Sequence, residues 1–239
     1  MRKWFTRILV LAILAVAVVY GGILVWTKVI DKPEDQLSGD DLTEALVTDS
    51  STTMPIAEST APLDPSDVSG EWIATNESTL GYRVKEVLGG IDTEGVGRTN
   101  QVEGRITIDG SVVVDGGFTV EVASIESDSD RRDSQFTGRI MDVATHPTAT
   151  FVITQPIDFG AIPESGQQVT VSANGELTLR GTTRPVTFDL TAEYTNGRIG
   201  VLGSIPVVFA DYGIPNPSNP FVTTGDDGLL EFVLVFTRA

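Results

Sequence analysis

From Gly70 to the end of the 239-residue chain, apolar side chains recur at every second position in run after run, separated by Gly, Asn, Asp and Pro. A period of two sends successive side chains to opposite faces, so each run reads as a half-buried strand. The runs are Leu80, Tyr82 and Val84; Val102 to Ile108; Val112 to Val114, leading on to Phe118 to Ile125; Phe151 and Ile153; Val169 and Val171; Leu177 and Leu179; Val186, Phe188 and Leu190; Ile199 and Val201; Ile205, Val207 and Phe209; and Leu230 to Phe236. Asp109-Gly110, Asn174-Gly175 and Asn196-Gly197 supply residues that tolerate positive φ in tight hairpins. Asn174-Gly175 also fits an in-strand bulge, because Ala173 and Leu177 keep one parity across it. About eight or more antiparallel strands are too many for one open sheet covered by a single helix. Closure into a barrel removes the exposed edges, and a two-sheet sandwich is the alternative.

The pattern breaks once, between Ser129 and Phe151. Asp130, Arg131, Arg132 and Asp133 are followed by Phe136, Ile140 and Val143 at spacings of four and three, then by Pro147. This predicts one or two helical turns ended by a proline, placed to plug or edge one end of a barrel. Residues 131 to 151, RRDSQFTGRIMDVATHPTATF, resemble the signature of the YceI-like family: an Arg-Asp pair, a short helix, an Asp-Val step, a proline and an Ala-Thr-Phe strand start. GELTLRGTTRPVTFDL (175 to 190), ADYGIPNPS (210 to 218) and YRVKE (82 to 86) are similar to further blocks of that family, in the same order. The resemblance implies an all-β domain, a lipocalin-like antiparallel barrel of about eight strands with a short helix, whose apolar lumen binds an isoprenoid or other long-chain lipid.

Combined with closure, the alternation turns Phe118, Val120, Val122, Phe151, Leu177, Leu179, Phe188, Leu190, Phe209, Phe232 and Leu234 inward as candidate ligand contacts. Arg131, Arg132 and Asp133 form a candidate rim, either an Arg–Asp133 ion pair that pins the helix or a guanidinium that meets a polar head. Many relatives carry Arg two positions before the Asp of the Asp-aromatic-Gly block. Here Phe209 stands in that place, which makes the site more apolar. The Pro-rich stretch Asp211 to Gly228 is too long for a hairpin and reads as a lid or a rigid crossing over one barrel end.

The formal charge is −17, with 33 acidic against 16 basic residues, so no face suits nucleic acid. No Cys is present and His146 is the single imidazole, which leaves no catalytic dyad, no nitrogen–sulfur zinc site and no cofactor motif. Asp226-Asp227 lacks the ligand spacing of a calcium loop.

Ile8 to Trp26 holds no charged residue, and its 19 positions would span about 28 Å as a helix, close to a bilayer's hydrocarbon core. Arg2, Lys3 and Arg7 precede it and Lys28 follows, so the positive-inside rule faces everything beyond residue 30 outward. A cleaved signal peptide is the competing reading. The expected organisation is a membrane anchor over residues 1–30, an acidic flexible stalk over 31–69 with a helical turn possible only in Leu42 to Val47, and the barrel over 70–239. The function expected is a single-pass cell-membrane protein with an extracytoplasmic lipid-binding domain and no enzyme activity; the alternative is a surface interaction module with a packed, ligand-free barrel.

Overall fold

The computed structural model describes residues 21–22, 33–47 and 68–239. Apart from Gly21 and Gly22, the expected membrane segment lies outside the described residues. Among the described residues, no helix is long and apolar enough to cross a bilayer. In chain order the elements are α1 (Gly39–Val47), β1 (Gly70–Ala74), β2 (Thr79–Leu88), β3 (Ile91–Thr99), β4 (Val102–Asp109), β5 (Val112–Glu121), β6 (Glu126–Ser127), α2 (Asp130–Gln135), β7 (Thr148–Ile153), β8 (Ile157–Asp158), β9 (Gln168–Leu179), β10 (Thr182–Thr195), β11 (Arg198–Val208) and β12 (Val222–Arg238).

Eight strands form a closed antiparallel ring in the order β1-β4-β5-β7-β9-β10-β11-β12, and β12 returns to β1 through Trp72↔Arg238 and Ala74↔Phe236. Closure leaves no open edge in this ring, as the strand count required. β2 continues the line of β1 along β12, from Thr79↔Val233 to Leu88↔Val222, and carries β3 and then β6 beside it. The end of the barrel bearing α2 is here called the upper end. α2 runs on into a π-helical turn, Phe136–Ile140, and the Phe136 ring stacks on Tyr82 of β2 with centroids 4.6 Å apart.

Several local expectations change. Asn174-Gly175 is neither a hairpin nor a bulge: β9 passes straight through it, with Asn174 opposite Thr187 and Gly175 opposite Val186. The β9–β10 hairpin instead turns at Arg180-Gly181, with φ of 48° and 73°. Asn196-Gly197 does turn the β10–β11 hairpin, with φ of 52° and 74°. The stretch Asp211 to Gly228 is not all loop, since β12 already begins at Val222 and carries a bulge between Thr224 and Gly228.

The largest departure is in the expected stalk. Residues 33–47 do not hang free but form a strap across the outer wall. Ser38 and Asp41 open α1 with a capping-box contact, the Asp41 carboxylate accepting from the Ser38 N–H (2.8 Å) and hydroxyl (2.6 Å). Leu42 and Leu46, 0% and 1% exposed, lie four apart on one face of α1 and pack on Val233 and Val235 of β12. Gly200 of β11 makes room, since a Cβ there would come within 2.6 Å of the Leu42 Cδ1. The run LLEFVLVF is accordingly buried on both faces: Leu230, Phe232, Leu234 and Phe236 inward, Glu231, Val233 and Val235 under the strap.

Glu231, 1% exposed, is held by Arg98 Nη2 at 2.8 Å and by Arg83 Nη2 at 3.2 Å. The same guanidinium groups donate to the strap's backbone carbonyls, Arg83 to Glu34 (2.8 Å) and Arg98 to Asp35 (2.7 Å). Farther along, Thr43 and Gln168 both donate to the Glu193 carboxylate, at 2.8 and 3.1 Å.

A Glu231→Ala variant removes the anion shared by the buried Arg83 and the half-buried Arg98, leaving Arg83 with Glu94 and Arg98 with the exposed Glu34. Chemical unfolding should show a loss of about 1–3 kcal/mol. A loss below about 1 kcal/mol would mean that the cluster is solvated and does not hold the strap to the wall.

Candidate functional site

The inner wall is built from the same alternation on every strand of the ring. All eleven residues expected to point inward are buried in one apolar cluster. Phe118, Phe151, Leu190, Phe232 and Leu234 line a lower chamber, while Val120, Val122, Leu179 and Phe209 line an upper one. Leu177 and Phe188 line neither and lie in the layer between.

That layer is a ring of four phenylalanines. Phe118 stacks on Phe151 (centroids 5.5 Å apart), Phe151 meets Phe188 edge-on (5.5 Å), Phe188 meets Phe232 edge-on (6.0 Å), and Phe232 returns to Phe118 (5.3 Å). These separations and tilts are those aromatic pairs prefer. Two residues opposite the rings have no side chain: a Cβ on Gly203 would sit 2.3 Å from the Phe232 ring, and one on Gly175 2.3 Å from that of Phe151. The ring divides the lumen into two chambers that share no lining residue, with cavity volumes of about 100 Å³ below and 110 Å³ above.

The lower chamber is floored by Val68, Ile108, Val113 and the loop Phe159 to Pro163. Glu193 borders it, but its carboxylate turns outward to the strap. The upper chamber is apolar except at its neck, where Tyr82, Glu86 and Arg132 meet. The Tyr82 hydroxyl is buried without a hydrogen-bond partner of acceptable geometry; the nearby Ser127 hydroxyl donates to Asp133 at 2.6 Å. Burial pushes the Tyr82 phenol up to about 12, only partly opposed by Arg132, so it stays protonated and available as a donor at neutral pH. Burial likewise raises the Glu86 carboxyl above its ordinary range, against the lowering pull of Arg132 3.7 Å away.

The rim differs from its expected wiring. Asp133 pairs with neither arginine; it accepts hydrogen bonds from the Ser127 backbone N–H (2.9 Å) and hydroxyl, tying α2 to β6. Arg132 pairs with Asp128 and Glu86, and Arg131 is exposed. Of the three rim residues only Arg132 reaches the chamber. Tyr82 and Glu86 were absent from the expected site, although Tyr82 and Val84 mark the inward face of β2 and Glu86 shares their parity.

The proline-rich loop closes the upper end beside α2. Arg139 donates to the carbonyls of Asn216 and Pro217 (both 3.2 Å), Arg180 to that of Gly213 (2.6 Å), and Arg184 to that of Asp211 (2.9 Å). Ile214 and Pro217 line the chamber from this loop. His146 packs against Gly181 at the β9–β10 turn. No group of three or more His, Cys, Asp or Glu able to hold a metal occurs among the described residues.

The fold and part of the sequence have known counterparts. A polyisoprenoid-binding domain from Saccharophagus degradans, implicated in plant cell wall breakdown, superposes with a TM-score of 0.59 at 18% identity, covering 72% of this chain and 99% of that one. BcnA of Burkholderia cenocepacia superposes with a TM-score of 0.52 at 21% identity, covering 66% of this chain and 95% of its own. UPF0312 proteins of Vibrio parahaemolyticus and Shewanella denitrificans are 28% and 29% identical over 130 and 134 residues, which are 50% and 52% of this chain. The matched segments span 64% and 66% of those relatives, just under two thirds of their length. The YceI-like domain matches residues 72–236, from Trp72 within β1 to Phe236 within β12, and the chain belongs to that family.

Proposed function

We propose that this protein is a membrane-anchored, extracytoplasmic binding protein that holds an isoprenoid or other long-chain lipid in its barrel, with the tail in the lumen and a polar head at the Tyr82–Glu86–Arg132 neck. The observation that carries this reading is the pair of apolar chambers in line within one closed barrel, with hydrogen-bonding groups gathered at one end only. The polyisoprenoid-binding character of the Saccharophagus domain supports it. So does the magnitude: at ~0.8 kcal/mol per buried CH₂, a five-carbon unit contributes about 4 kcal/mol gross, and a few units exceed the roughly 4–15 kcal/mol cost of association. Native mass spectrometry of the full chain extracted from its own membranes tests it. A co-purifying hydrophobic mass is expected, and protein that stays empty when offered polyprenols refutes it.

The phenylalanine ring favours a second reading, a packed scaffold without a ligand, and one variant separates the two. Phe188→Ala opens the ring and leaves a void, at a stability cost of about 3–5 kcal/mol in the empty protein. A chain long enough to enter both chambers should restore much of that loss, while a short one confined to the upper chamber should not. Melting curves across a polyprenol length series read this difference directly; a deficit that no chain length recovers is the behaviour of a packed core.

Tyr82→Phe removes a buried hydroxyl that lacks a partner, so the empty variant should be more stable by about 1–3 kcal/mol. It should bind lipids with a hydrogen-bond-accepting head about five- to tenfold more weakly and headless hydrocarbons equally well. The native phenol keeps its proton up to about 12, whereas an unfolded tyrosine releases it near 10. The folded state therefore binds more protons across that interval, and wild-type stability falls as pH rises through it, by up to about 1.4 kcal/mol per unit. The variant lacks this slope; identical alkaline unfolding of the two proteins would show that the hydroxyl is solvated.

A further inference from the structure

Seven large apolar side chains are exposed among the described residues, and three of them gather at the upper end on neighbouring strands. They are Val208 at the end of β11 (47%), Phe221 immediately before β12 (72%) and Val87 on β2 (37%). Register sets them along one outer wall: Val87 lies opposite Thr223, two residues from Phe221, and Val208 lies opposite Asp227, six residues from Phe221 across the β12 bulge. Phe221 is presented by a braced turn. The Asn219 side chain accepts from the backbone N–H groups of Phe221 (2.9 Å) and Val222 (3.2 Å), and the Asn216 amide donates to the carbonyls of Thr224 (3.3 Å) and Gly225 (3.1 Å). A phenylalanine held out to water by this much hydrogen bonding marks a contact surface.

Two observations identify what it contacts. The first is position, because the loop that displays Phe221 also supplies Ile214 and Pro217 to the upper chamber. The second is the strap. Its first described residues are fastened at Arg83 and Arg98, and Arg83 shares the outer face of β2 with Val87, four residues or about 13 Å away. Six residues separate Trp26 from Pro33, and the seven steps between them reach at most about 25 Å. A bilayer crossed by Ile8 to Trp26 must therefore lie within reach of this corner, whereas a flexible stalk of residues 31 to 69 would have let the barrel drift farther. Asp226 and Asp227 stand beside Val208 and offset the exposed Lys85, so the corner is not a basic patch and suits a zwitterionic lipid surface.

We propose that Phe221, Val87 and Val208 form a bilayer-contact corner, and that the docked strap holds the barrel with this corner, and the upper mouth beside it, against the membrane surface. The proposal rests on the membrane-anchored reading above and adds an orientation to it.

The absence of cysteine makes single-site labelling direct. Thr223→Cys, exposed beside Phe221, and Val114→Cys, an exposed apolar position near the lower end, are labelled with an environment-sensitive fluorophore. Each full-length chain is then reconstituted in phosphatidylcholine vesicles containing nitroxide lipid. The label at 223 should be quenched several-fold more than that at 114. Adding Phe221→Asp, or Leu42→Asp with Leu46→Asp to release the strap, should reduce the difference several-fold. Equal quenching at the two sites in protein that stays with the vesicles through a high-salt wash overturns the orientation alone. Quenching at 223 that persists after strap release overturns the role of the strap. Protein that washes off the vesicles overturns the anchored reading and this proposal with it.

Discussion

β12 is the strand on which the rest of the structure depends, because it is hydrogen-bonded along its length to β11 on one side and to β2 and then β1 on the other. A strand has only two faces, and here neither is left to water. The inner face supplies Phe232 to the aromatic ring and Leu230, Leu234 and Phe236 to the chambers. The outer face supplies Val233 and Val235 to the seat of α1 and Glu231 to the two arginines that grip the strap. Ring closure, the divided lumen and the docked N-terminal segment thus meet in one run of eight residues. Inserting one residue there would exchange the faces, sending Glu231 toward the lumen and Phe232 toward the strap.

Much of the ring was legible in the sequence because its inward positions are large and apolar. Phe118 with Val120, Leu177 with Leu179, and Phe232 with Leu234 announce a wall face by themselves. β3 was not legible, for a physical reason. Its inward positions include Gly95 and Gly97, and the side chains over them belong to the neighbouring strand: a Cβ at 97 would meet the Tyr82 ring at 2.5 Å, and one at 95 the Glu86 carboxylate at 2.9 Å. The strand that lends the neck its space therefore carries no hydrophobic signal. Likewise Arg180 occupies a left-handed turn position that Asn would have advertised, while Asn174 sits inside a strand where it bonds Thr187 across the pair at 2.7 Å.

The strap was hidden by length. Nine helical residues with Leu42 and Leu46 as their buried side chains make too short a period to stand out from an acidic, proline-bearing segment. The legible counterpart was on the surface that receives it: seven apolar residues and one glutamate in LLEFVLVF, too continuous for a strand with a wet face. The rim shows the limit of reading charges by proximity. Asp133 is adjacent to two arginines in sequence, yet helical geometry turns it toward Ser127 and leaves Arg132 to reach Asp128 and Glu86.

The walls of the two chambers offer shape and almost no hydrogen bonds, and that sets what such a cavity can distinguish. An apolar wall discriminates one methylene more or less by a factor of roughly 10–200. A buried hydroxyl that gains its partner only from a ligand adds a further factor of about five to ten in favour of lipids that carry an accepting head. In the lipid-binding reading proposed above, the phenol of Tyr82 would read the head at the neck and the apolar walls the tail. Chemical identity would then be checked once, at the entrance, and carbon count along the barrel.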